Sequence, residues 1–267
     1  MMTEITLQLR HEDQTLKTAT SETRTYLAYH KQYALGDYYQ VRVSDAPAYV
    51  WVQLDASVAP SLVYLKQTTW DFRIPFNLQK EWPYPDGAFL GTNHYAWVRV
   101  AHEGELTVSR NLALNTYDQH EATGAYPHAS ANAETRDELV FYAKNVIDGV
   151  IANEKHGSYP FQSCGIAERP DAELTLDFGR EVLLNRLVLI LRADYPHDSY
   201  WQEVTVVFSD GSSEKLELKK TAAPQQFDIT PRKVTWLKLT QLVKDQDSST
   251  FPALTELEAW GKEAFAK

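Results

Sequence analysis

Cysteine is all but missing from this chain: one residue, Cys164, in 267. A lone thiol excludes an internal disulfide framework, and the small or apolar neighbours Ser163, Gly165 and Ile166 mark it as a packing group rather than a nucleophile. Basic residues are in deficit, 26 against 36 acidic ones, for a net charge of −10. That charge repels nucleic-acid phosphates and anionic membrane surfaces, and no basic stripe offsets it. No run approaches the ~20 apolar residues that span a bilayer. The first residues, Met1-Met2-Thr3-Glu4-Ile5-Thr6-Leu7, lack the basic start and apolar core of a secretion signal, so a cytoplasmic protein is expected. Glycine loops that cradle phosphate, a Gly-x-Ser-x-Gly elbow, kinase signatures and short-period repeats are missing as well.

What is present is strand pattern. Alternating or β-rich runs at 5–9, 24–29, 38–43, 49–54, 61–65, 95–100 and 105–108 predict a first β-sandwich. A second series at 174–178, 182–191, 204–208, 215–218, 226–229, 234–239 and 254–260 predicts another. Between them the periodicity fades, and Leu139, Tyr142, Ala143, Val146 and Ile147 follow the spacing of a short helix ending at Gly149. The expected fold is all-β, two tandem β-sandwiches over residues 1–125 and 126–267.

The densest chemistry lies in Arg192-Ala193-Asp194-Tyr195-Pro196-His197-Asp198-Ser199-Tyr200-Trp201, a loop between two strand-like runs. Charge, imidazole and aromatic rings on a rigid scaffold suit ligand recognition. Sugars in particular need a ring against their C–H face and planar or charged groups for their hydroxyls. Arg192, Asp194, His197, Asp198, Tyr200 and Trp201 supply both, with His156, Tyr159 and Arg169 as candidates from a neighbouring loop. The competing reading is structural: Arg192 pairs with Asp194 or Asp198, and Trp201 is core. His128, Asn132, Glu134 and Arg136 form a second polar group at the junction, either a pocket between the halves or the bonds that join them. His128, His156 and His197 show no spacing of a zinc motif.

The order of Asn145-Val146-Ile147-Asp148-Gly149, Ser163-Cys164-Gly165 and Ala172-Glu173-Leu174-Thr175-Leu176-Asp177-Phe178-Gly179 resembles the opening of discoidin or coagulation-factor type C domains, the galactose-binding-like jelly roll. The resemblance runs on through Arg192, Phe208-Ser209-Asp210-Gly211 and Leu254-Thr255-Glu256-Leu257-Glu258-Ala259-Trp260-Gly261, about residues 130–261, and is similar in character to family 32 carbohydrate-binding modules. It implies that the C-terminal half is a jelly roll binding a ligand, often a sugar, in loops at one end, frequently with a structural calcium. Asp148 and Glu256 fall at the family's calcium-ligand positions, with oxygens near Asn145 and Asn153 as helpers; calcium takes six to eight such hard ligands. Cys164 stands where the family usually has Trp, and Val150 where it has a second acidic ligand.

The function expected is non-catalytic carbohydrate binding, with no nucleic-acid or membrane partner. Two alternatives remain: a glycan-active enzyme using a carboxylate pair from Asp194, Asp198 and Glu134, and a protein-interaction module if Trp51, Trp70, Trp82 and Trp97 form an exposed patch.

Overall fold

The computed structural model describes residues 3–76 and 81–265. In a first sheet β2 (Gln14–Ser21), β1 (Ile5–His11), β4 (Asp37–Val43) and β7 (Thr69–Arg73) lie side by side. A second sheet has the order β10 (Ala125–Tyr126), β6 (Ser61–Leu65), β5 (Ala48–Gln53), β8 (His94–Val100), β3 (Arg24–Tyr29). Strand alternation decides how they meet: Ile5, Leu7, Val41, Trp70 and Phe72 of the first face Val50, Val52, Val63 and Val98 of the second in one core.

The third sheet runs β12 (Cys164–Gly165), β17 (Ala253–Glu263), β13 (Leu174–Leu191), β16 (Gln225–Lys244), β14 (Trp201–Phe208), β15 (Ser213–Glu217), with β11 (His128–Ala131) on β13 and β9 (Arg110–Asn111) on β17. It wraps a second core that includes Leu176, Phe178, Leu187, Leu189, Val204, Leu237 and Leu257. The all-β class and its two sandwiches are thus as expected from the sequence. The segments 174–178 and 182–191 belong to one bent strand, whose register against β16 shifts between Asp177 and Val182. At that corner Gly179 has φ +71°, and a Cβ there would lie 2.3 Å from Tyr126 Cγ, so the turn needs glycine.

Two expected elements differ. Residues 139–149 form short 3₁₀ turns, Leu139–Phe141 and Ala143–Ile147, with Tyr142 extended between them. Partners outside an α-helical ladder take the backbone groups: Asn145 Nδ2 donates to Leu139 O at 2.9 Å, Ala143 N to Glu134 Oε1 at 2.7 Å, and Ser163 N to Val140 O at 2.9 Å. The run at 105–108 is not a strand; Glu103–Thr107 is one helical turn, α1, started by Glu105 accepting from His102 N at 2.7 Å. Strands β2 and β7 were not among the runs read from the sequence; β2 is almost wholly exposed, so no face of it had to be apolar, whereas β7 alternates, with Trp70 and Phe72 turned inward.

The chain passes between the cores more than once. Leu112 and Ala113 pack into the second, Tyr117 and Ala125 into the first. The bridging polar groups are bonded: Asn115 Nδ2 donates to Pro127 O at 2.8 Å, Thr116 Oγ1 to Ala59 O at 2.8 Å, and Asp118 accepts from His128 Nδ1 at 2.8 Å and Ala129 N at 2.9 Å. Glu263 holds the opposite side. Its buried carboxylate accepts from Arg180 Nη2 at 2.7 Å, Arg180 Nε at 2.9 Å, Tyr49 Oη at 2.7 Å and Arg110 Nη2, while the Arg180 guanidinium lies 5.3 Å from the Tyr49 and Tyr64 ring centres.

Burial pushes the Glu263 carboxyl up, but the hydrogen bonds and charge of Arg180, with Tyr49 and Arg110, outweigh it and hold the pKa below the usual range. A depressed carboxyl stabilises the fold above its unfolded pKa and loses that contribution as the pH falls. Glu263→Ala should therefore cost about 3–5 kcal/mol near neutrality, because two arginines lose a buried partner. In urea titrations the gap to the parent should narrow below pH ~4; a gap that is small at neutral pH, or constant with pH, contradicts the clamp.

Candidate functional site

Strand β13 ends at Leu191, and the next residue keeps to the sheet: Arg192 N donates to Ala253 O of β17 at 3.0 Å. This draws the Arg192 side chain inside, where it is 6% exposed, and an isolated buried cation is costly. Asp194 answers it, with Oδ1 2.9 Å from Arg192 Nε and Oδ2 taking the Nδ1–H of His156. The loop closes into a tight turn, His197 N donating to Asp194 O at 2.6 Å, and Arg192 Nη2 donates to the carbonyls of His197 (3.1 Å) and Phe251. Arg192, Asp194, His156 and His197 thus form one locked unit.

That unit makes one wall of a cleft of about 200 Å³ at the end of the second sandwich. Rings line it in sequence: Phe141 to His156 centres are 6.4 Å apart, His156 to His197 5.3 Å and His197 to Phe251 5.8 Å. Phe251 is 42% exposed, so part of its ring is open to a ligand. The opposite wall carries Arg136, whose guanidinium is 5.8 Å from the Phe141 ring centre, and Glu168, which accepts from Thr250 Oγ1 at 2.8 Å. Gly165 lets the walls approach, since a Cβ there would sit 2.5 Å from Thr135 Oγ1.

Of the residues expected in the site, the structure brings Arg192, His197 and His156 to the cleft, with Asp194 behind them. Trp201 is corrected: it is 2% exposed and packs in the second core, so it offers no ring face. Asp198 and Tyr200 line a separate hollow beside Lys220, whose Nζ lies 3.4 Å from Asp198. Tyr159 borders a different hollow near Asp148, and Arg169 is tied on the surface to Asp171 at 2.9 Å and to Asn132 O at 2.8 Å.

The junction group does not share one pocket either. His128 is bonded to Asp118, Asn132 brackets the Asp171–Glu173 backbone, Glu134 accepts from His120 Nε2 at 2.7 Å, and Arg136 belongs to the cleft. Phe141, Arg136 as a cleft residue, Glu168 and Phe251 were missed for the cleft. Phe251 had a signal, since Ser248-Ser249-Thr250-Phe251-Pro252 is polar and aromatic between strands as the Arg192 loop is. The tryptophans form no patch, Trp70 and Trp97 being buried.

Asp148 and Glu256 do come together. Gly149 N donates to Glu256 Oε2 at 3.3 Å, while Asp148 accepts from Val150 N at 2.8 Å and Gln162 Nε2 at 2.7 Å. Burial pushes Asp148 up to about 6, and burial together with the Asp148 charge pushes Glu256 well above its ordinary value. Gln162 Oε1 and Thr255 Oγ1, beside this pair in the chain or by contact, are buried without a hydrogen-bond partner. Two buried carboxylates with an unpartnered amide oxygen on Gln162 are hard oxygen donors, the kind a divalent cation such as calcium takes. Asn153 is engaged elsewhere, its Nδ2 donating to Leu191 O at 2.7 Å and Ala222 O at 2.9 Å. A further His–carboxylate group, His120, Glu134 and Asp137, has ligand atoms within 4.8 Å of one another.

No protein-family model matches the chain, and no curated protein matches its sequence. Among solved structures, 57% of the chain covers 99% of chitosan-binding module 1 from a chitosanase/glucanase of Paenibacillus sp. IK-5, at 19% identity and a TM-score of 0.40. Another 49% coverage spans 91% of the family 32 carbohydrate-binding module of Clostridium perfringens NanJ in complex with galactose, at 16% identity and TM-score 0.36. A fucose-binding module of Streptococcus pneumoniae is similar over 61% of this chain and 99% of its own, at 11% identity and TM-score 0.42. Each of these neighbours is a carbohydrate-binding module.

Two substitutions probe the packed part of the loop. Trp201→Ala should lose about 3–5 kcal/mol of stability, as large core aromatics do. Asp194→Asn should also destabilise, by about 3–5 kcal/mol, because it strands a buried arginine. Chemical denaturation checks both, and a Trp201→Ala protein as stable as the parent would contradict its place in the core.

Proposed function

We propose that the protein binds carbohydrate without transforming it, in the cleft between the Arg192–His197 loop and the Phe251 turn. The observation that carries this is the Asp194 clamp. It fixes Arg192 and His156 in advance, so that little ordering is left to be done on binding. Beside these fixed polar groups stands the half-open Phe251 ring, the pairing of ring face and planar polar group that a sugar needs. Hydrolysis of a glycosidic bond takes two carboxyl groups across it. Glu168 is the one carboxylate lining this cleft among the described residues, and Asp194 is committed to Arg192 and His156.

We propose in addition that Asp148 and Glu256, with the side chain of Gln162 beside Asp148, hold calcium. When bound, the ion would offset the mutual repulsion of two buried carboxylates and brace the 145–150 turn against β17.

A glycan-array screen followed by titration calorimetry tests the first reading. Against any glycan that the parent binds, Arg192→Ala and His197→Ala should each lose about 1–3 kcal/mol, the cost of unpaired groups at a partly desolvated site. Phe251→Ala should weaken binding while leaving the melting temperature nearly unchanged. If all three bind like the parent, the cleft is not the site. For the metal, calcium should raise the melting temperature of chelator-treated protein by mass action, and Glu256→Gln should abolish that rise. A parent melting curve indifferent to calcium removes the calcium proposal.

A further inference from the structure

The cleft's own hydrogen-bonding inventory narrows the ligand class, on the reading that it binds a sugar. Its acceptors are mostly taken. The carbonyls of His197 and Phe251 receive Arg192 Nη2, Thr135 Oγ1 receives Ala167 N at 3.1 Å, and Glu168 Oε1 receives Thr250 Oγ1. Its donors are mostly spare. Arg192, more than nine-tenths buried, turns its Nε to Asp194 Oδ1 at 2.9 Å, and its Nη1 has no partner among the described residues. The ring nitrogens of His197 are also unbonded among the described residues, and the ion pair of Arg136 there, with Glu138 at 3.5 Å, is loose, its side chain being 65% exposed.

A neutral sugar presents hydroxyls that each donate as well as accept: their oxygens can receive these donors, but a cleft short of free acceptors leaves their hydrogens unanswered. A carboxylate or sulfate accepts only, and a guanidinium binds it in bidentate fashion. His156 adds the complementary piece. With Nδ1 engaged by Asp194, Nε2 is the ring nitrogen left for the cleft, where it can meet one hydroxyl alongside the oxyanion. Backbone geometry supports the assignment of Arg136: it holds φ +57° within the cleft wall, a conformation rare for a side chain of its size.

We infer that the cleft selects an acidic sugar, its oxyanion received by Arg192 and Arg136 beside His197, and one hydroxyl received by His156 or Glu168.

Matched pairs test this by calorimetry: a uronate oligosaccharide against the same compound with its carboxyls reduced to alcohols, and a sulfated galactan oligosaccharide against its desulfated form. At least one charged member should bind about tenfold more tightly than its neutral twin, and the two arms tell carboxylate from sulfate. The ratio should shrink as salt is added. Arg136→Gln should bring it near one, whereas Glu168→Gln should widen it. If the neutral twins bind as tightly as the charged ones, the inference fails and carbohydrate binding stands. If neither charged nor neutral glycans bind, here or on the array, the carbohydrate reading itself fails and takes the inference with it.

Discussion

Burying Arg192 obliges the rest of the cleft to form. The strand pairing that carries β13 to its end takes this residue into the interior before the chain has left the sheet. A guanidinium there needs a counter-charge and acceptors for its N–H groups. Asp194 supplies the first two residues on, the carbonyls of His197 and Phe251 supply the second, and His156 is drawn in because Asp194 has another oxygen to satisfy. The loop's shape is therefore the solution to an electrostatic problem, and the groups open to the cleft are what remains once it is solved.

The N-terminal sandwich reaches the cleft indirectly. Residues 134–142 form the cleft's second wall through Thr135, Arg136 and Phe141, and the same segment is held from behind by groups that approach from the first half. Glu134 bonds His120 and the Ala143 N–H, the Tyr142 ring stacks on His120 at 4.0 Å, and the Lys144 ammonium lies 4.9 Å from the Tyr84 ring centre. On the far side Glu263 joins Arg110 and Arg180 to Tyr49 of β5. Polar contacts of this density tie the two cores together, so that groups of the first sandwich prop the second wall of the cleft.

Much of this was readable in the chain and some was not, for reasons tied to particular residues. The strands with one apolar face announced themselves by alternation, as Ile5 to Leu9 did, whereas the exposed edge strand Gln14–Ser21 had no face to bury and so no pattern. The loop from Arg192 to His197 stood out by composition. Its parity did not: Asp194 and Asp198 look alike in sequence, yet one is the buried clamp and the other pairs with Lys220 in a separate hollow. Trp201 looked like a stacking platform because it closes a polar loop, but as the first residue of β14, opposite Lys244, it turns inward.

What the sequence alone determined are the properties set by neighbours along the chain: the all-β class, the strand-bounded Arg192 loop, the glycine at the Gly179 corner and the acidic, disulfide-free character. Tertiary structure decided which distant segments meet. Phe251 and Arg192 lie 59 residues apart and touch through the β13–β17 pairing, and Arg136 and Glu168 arrive on loops whose placement follows from packing. The Asp148–Glu256 pair likewise exists only through a contact, Gly149 to Glu256, that spans 107 residues. Local pattern encodes which side of a strand is apolar, because alternation has a period of two; it does not encode which strand ends share a rim, because that depends on register and sheet order, set by the burial of the whole core at once.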